Sequence, residues 1–229
     1  MLNTKHGVAA VGLLGTLLAT AASANTSYTW DLTTPSGNVG KTHKYTSNIG
    51  NVFLIASGYS TKTKPSSSSW DPNKVKAVDL FAKGSGIGSE SGLGLVNDPS
   101  NENEISGNSF IQLNVADLFN YNLKQLSIQI GSIQANEGYA VWGSNTAGTP
   151  GTFLEKYTNT NGKNKTDVNS FSAPNFGTYK YYSISATNGN VLLDSGISAS
   201  PDVPEASSIV GMCGMLTVGG LSLRRRRNR

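Results

Sequence analysis

The densest run of candidate ligand atoms in this chain is Asn97-Asp98-Pro99-Ser100-Asn101-Glu102-Asn103-Glu104, where carboxylate and amide oxygens crowd together. Such oxygens suit a hard cation such as Ca²⁺, which takes roughly six to eight of them. The order does not follow the EF-hand loop, so a solvated turn is the preferred reading, with calcium at Asp98, Glu102 and Glu104 as the alternative. The same carboxylates could serve a glycan hydrolase, which needs two acids roughly 5–10 Å apart and one raised pKa. Other chemistries lack parts. After residue 24 the only histidine is His43, in the polar segment Lys41-Thr42-His43-Lys44, and no Gly-x-Ser-x-Gly turn accompanies it. Gly84-Ser85-Gly86-Ile87-Gly88 lacks the spacing and the Lys-Ser/Thr pair of a phosphate loop and reads as a turn. One histidine and no cysteine in residues 25–202 are too few for a zinc site. No catalytic residue, cofactor or metal site is assigned.

Flat aromatic rings stack on sugars, which makes Trp70, Trp142, Tyr139, Tyr179, Tyr181 and Tyr182 candidates for a carbohydrate-binding face. Packing competes for each of them. Tyr179, Tyr181 and Ser183 fall on one face of an extended segment and Tyr182 and Ile184 on the other, so at least one tyrosine set belongs to the core. Trp142, between Val141 and Gly143, reads as core or cross-strand packing. Trp70 follows a serine-rich loop and precedes Asp71-Pro72, which favours exposure.

The elements that must position these groups read as strands. Apolar residues recur with a period near two in short runs bounded by Gly, Asn, Ser, Asp and Pro. The runs are 28–32, 52–59, 75–81, 93–96, 110–115, 126–133, 139–143, 153–157, 179–185 and 191–194, with one helical turn at 116–120. Leu126, Ile128 and Ile130 alternate with Ser127 and Gln129, the pattern of a half-buried strand. Asn188-Gly189 predicts a two-residue type I′ hairpin between the last two runs. From Gly196 to Asp202 the pattern stops, which predicts a flexible linker. The expected fold is all-β, an antiparallel sandwich of jelly-roll type, over residues 25–195.

Both ends of the chain carry addresses. Lys5 and His6 precede an apolar run that closes on Ala22-Ser23-Ala24, so residues 1–24 read as a signal peptide cleaved between Ala24 and Asn25. Residues 203–229 hold Val203-Pro204-Glu205-Ala206, an uncharged stretch from Ser207 to Leu223, and Arg224, Arg225, Arg226, Arg227 and Arg229. As a helix the stretch spans about 25 Å, just enough to cross a bilayer, and the arginines would hold its end in the cytoplasm. Cys213, the single cysteine, lies inside that stretch and can form no intrachain disulfide.

The tail also explains the charge. The whole chain is formally +4, yet residues 25–202 hold twelve lysines, no arginine and thirteen acids, a net charge near −1. A nucleic-acid role thereby loses its electrostatic support.

Signal peptide, Pro204-Glu205, apolar stretch and arginine cluster together resemble the PEP-CTERM exported proteins of Gram-negative bacteria. Ala206 stands where that family usually has a second proline. The run from Ser91 through Asn103-Glu104-Ile105 to Leu113 also looks like bodies seen on such proteins. The resemblance implies an exosortase-type transpeptidase as partner, transient anchoring in the inner membrane, and delivery to the cell surface or extracellular biofilm matrix, where exopolysaccharide is a further partner. The expected function is a non-enzymatic structural or adhesive role. A carbohydrate-binding module is the alternative, with a glycan hydrolase behind it.

Overall fold

The computed structural model describes residues 27–61, 74–84, 90–96, 102–160, 167–173 and 176–201. In chain order its strands are β1 (Tyr28–Trp30), β2 (Gly37–Gly40), β3 (Thr42–Thr46), β4 (Phe53–Ser60), β5 (Lys76–Val78), β6 (Leu80–Lys83), β7 (Gly92–Leu95) and β8 (Ile105–Ser106). There follow β9 (Ser109–Asn114), β10 (Leu123–Ile133), β11 (Gly138–Ser144), β12 (Thr152–Thr158), β13 (Asp167–Ser172), β14 (Tyr181–Asn188), β15 (Asn190–Leu193) and β16 (Ile197–Pro201). Between β9 and β10 a 3₁₀ turn spans Ala116–Tyr121, where one helical turn is expected, and Asn122 ends it with φ 52°.

The strands form two antiparallel sheets. One runs β1-β16-β10-β15-β7-β6-β2, with β13 also on β10 and β8 on β15; the other runs β12-β11-β14-β9-β4-β3, with β5 on β4. The all-β sandwich expectation is met at this level. Alternation explains why: Leu126, Ile128 and Ile130 of β10 turn inward and are buried, while Ser127 and Gln129 between them are half-buried. Trp30, Leu54, Leu113, Val141, Tyr182, Ile184 and Ile197 fill the space between the sheets. The Trp30 indole N–H donates to the Val52 carbonyl at 3.2 Å, so its polar edge is satisfied in the core. Gly58 lets β4 pass close beneath its neighbours, since a Cβ there would stand 2.6 Å from the Val78 carbonyl oxygen.

Three expectations fail, each for a physical reason. The single strand expected at 75–81 is two, because the chain turns a corner at Asp79 and passes from β5 in one sheet to β6 in the other. Asn188-Gly189 is no hairpin: Gly189 takes φ 67°, but Asn188 is not among the residues with positive φ, which a type I′ turn requires. There β14 pairs with β11 and β9, while β15 pairs with β10, β7 and β8, so the turn carries the chain across the core. The segment at 196–202, expected as a linker, supplies β16. Its Ile197 is 0% and Ala199 2% exposed, and it pairs on one side with β1 and on the other with β10. Small alternating residues hid it, and Pro201 sits at its end, where a missing N–H is tolerated.

An integral β16 makes a measurable difference. Ile197→Ala should lower unfolding stability by about 2–5 kcal/mol, the range for a buried Ile truncation. Equilibrium urea denaturation checks it, and an unchanged midpoint would restore the linker.

Candidate functional site

The ends of the described chain lie side by side. Tyr28 is opposite Ala199, Thr29 opposite Ser198 and Trp30 opposite Ile197. Because the pair is antiparallel, the chain enters β1 and leaves β16 at the same end of the sheet. On the other side of β16, Gln125 lies opposite Ser200 and Leu123 opposite Pro201.

A groove of about 380 Å³ opens beside this edge, lined by Lys124, Gln125, Leu126, Ser127, Ser172, Ala173, Ser198 and Ser200. It exists because β10 is flanked by β13 and β16 around Ser127, which lies opposite both Ser172 and Ser198. Three short serines across three strands leave a trough where larger side chains would fill the surface. Ser200 Oγ donates to Gln125 Oε1 at 3.4 Å along one wall. The lining offers hydroxyls, one amide and one ammonium, and holds no carboxylate, histidine or aromatic ring. That is a set for hydrogen-bonding a neutral polar ligand such as a sugar. It has no acid and base pair for hydrolysis.

The candidate aromatics lie elsewhere. Tyr182 is fully buried and Tyr139 stacks on Tyr157 with centroids 5.6 Å apart, so both are core. The Tyr139 hydroxyl accepts a bond from Asn169 Nδ2 at 3.1 Å. Burial, reinforced by the charges of Glu155 and Tyr157, pushes its phenol up to about 12. Burial and the neighbouring Tyr179 likewise push Tyr182 up to about 12. Tyr179 does not belong to the strand expected at 179–185; it packs over Gly143, where a Cβ would stand 2.4 Å from its ring. Tyr181 is half-buried. Trp142 is half-buried and meets Phe153 edge-on at 6.2 Å. Phe153, 55% exposed on β12, forms with Trp142 the aromatic surface that the sequence places only in part.

His43 packs edge-on against Tyr45 at 4.7 Å. Glu102 is exposed and accepts from Asn190 Nδ2 at 3.3 Å. The solvated-turn reading fails for Glu104, which is 3% exposed and binds Lys83 Nζ at 2.8 Å. Its neighbours in sequence gave no sign of an inward turn. Among the described residues no group of three His, Cys, Asp or Glu could hold a metal ion. Asp98, Trp70, Gly86, Gly88, the cleavage residues Ala22, Ala24 and Asn25, the motif Val203–Ala206 and the arginines 224–229 lie outside the described residues. So does the apolar stretch 207–223; among the described residues no helix is long and apolar enough to cross a membrane.

No family profile, curated protein or solved structure matches this chain.

The Tyr182 hydroxyl is buried and has no hydrogen-bond partner among the described residues. An unpaired buried hydroxyl costs about 1–3 kcal/mol, so Tyr182→Phe should leave stability unchanged or raise it by about 1 kcal/mol. Thermal and urea unfolding read this directly; a loss of that size would show a polar role for the hydroxyl.

Proposed function

We propose that this chain is an exported protein of the cell surface or exopolysaccharide matrix, sorted through its C-terminal tail and non-enzymatic, with a structural or adhesive role. The observation that carries the reading is the order Pro204-Glu205, uncharged stretch 207–223, arginine cluster 224–229, opposite a signal-peptide pattern at the other end. The fold supports it in two ways. The last strand ends at Pro201, so the motif at 203–206 follows the domain almost at once. A two-sheet β sandwich, with its first and last described strands side by side and chain crossings between its sheets, is a self-contained cargo that needs no disulfide. Exosortase-type processing then removes the arginines and releases the domain to the surface.

The intact mass of the surface-released protein should correspond to a chain lacking Arg224–Arg229. Glu205→Ala should abolish that release, and Ala206→Pro, which restores the second proline of the resembled motif, should raise it. Full retention of the arginines at the surface would overturn processing.

The serine-lined groove favours carbohydrate binding as a second reading. Glycan-array binding that disappears when Ser127→Trp fills the groove would support it. Binding that survives Ser127→Trp and disappears in Trp70→Ala would move the contact to the serine-rich loop.

A further inference from the structure

A second polar cluster lies on the β7 side of the groove's sheet, and neither sorting nor sugar binding uses it. Lys83 ends β6, Glu90 precedes β7, Glu104 precedes β8 and Ser132 sits near the end of β10. Lys83 is 8%, Glu104 3% and Ser132 3% exposed. Lys83 Nζ stands 2.8 Å from Glu104 Oε1 and 3.8 Å from Glu90 Oε2. Ser132 Oγ donates to the same Glu104 Oε1 at 3.3 Å.

The backbone is shaped to hold this arrangement. Ser132 takes φ 56° within a register shift of β10, a left-handed conformation costly for serine, and the irregularity accompanies a hydroxyl turned to Glu104. The chain at Asn103-Glu104 lies directly on β7: a Cβ on Gly94 would stand 2.0 Å from the Asn103 carbonyl oxygen. Lys83 is held from behind by its pairing with Gly92.

An amine and a carboxyl held in contact, away from water, with a second carboxylate beside them and a hydroxyl on the acceptor oxygen, are the parts of an amide-forming site. We infer that Lys83 and Glu104 are joined by an intramolecular isopeptide bond, formed within the folded domain with Glu90 as proton carrier and Ser132 as oxyanion donor.

The step balances. Glu90 takes one proton from the Lys83 ammonium, and the neutral amine attacks Cδ of the protonated Glu104. The Ser132 hydroxyl supports the charge that develops on Oε1. The C–O bond to Oε2 then breaks, and that hydroxyl leaves as water with a second proton from the nitrogen. The amide keeps the third proton and Glu90 holds the first until solvent takes it. No oxidant or other co-reactant is needed. Burial, opposed by the Lys83 contact and reinforced by Glu90, pushes Glu104 up to about 7, so that near neutral pH a sizeable share is in the acid form that can lose water. The bond would also turn a buried ion pair, costly to desolvate, into a neutral link. For an exported domain without cysteine in residues 25–202, it would supply the covalent tie that a disulfide gives elsewhere.

Peptide mapping of the purified full chain tests the inference, whatever happens at either terminus. The digest should show the Lys83 and Glu104 peptides as one joined species, lighter than their sum by about 18 Da, one water. Lys83→Arg and Glu104→Ala should each give linear peptides only. Glu90→Gln should lower the joined fraction at least tenfold while circular dichroism stays that of the parent. Linear Lys83 and Glu104 peptides in the parent digest would overturn the bond, leaving a buried ion pair, and undiminished joining in Glu90→Gln would overturn the role of Glu90.

Discussion

The rest of the structure depends on the insertion of β16 between β1 and β10. Through it Ile197 and Ala199 close one side of the core over Trp30, and the short β1 gains a partner along its whole length. A three-residue strand has little cohesion of its own; pairing and burial against an already formed sheet supply it. The same insertion brings the two ends of the domain together and lays Ser198 and Ser200 along the groove.

This arrangement bears on the proposed delivery. The proposed export and sorting would call for a body that folds as a unit, and residues 25–202 hold no cysteine with which to form a disulfide. Two sheets packed on a core of buried aliphatic and aromatic side chains form such a unit. β16 ends at Pro201, two residues before the segment 203–206 proposed as a sorting motif.

Much of the fold was legible because burial was written in strong alternating residues. Leu126, Ile128 and Ile130, or Phe110 through Leu113, mark their strands without ambiguity. What was hidden depended on partners distant in sequence. Thr42–Thr46 and Gly37–Gly40 are too polar to stand out, and only their pairing with β4 and β6 makes them strands. Ile197-Ser-Ala-Ser-Pro reads as a linker because one isoleucine and one alanine carry its inward face. Asn188-Gly189 carries hairpin chemistry, yet packing sends its flanking strands to opposite sheets. Lys83 and Glu104 meet across 21 positions. No local pattern announces that an acid in an asparagine-rich run turns inward to a lysine.

The claim that residues 197–201 are structural, and that the tail begins only beyond them, is most directly tested by native-state hydrogen exchange. The account predicts that the amides of β16 exchange as slowly as those of β10, through opening of the whole domain. Exchange of β16 at the rate of unprotected amides, with β10 still protected, would contradict it and return the segment to a mobile tether.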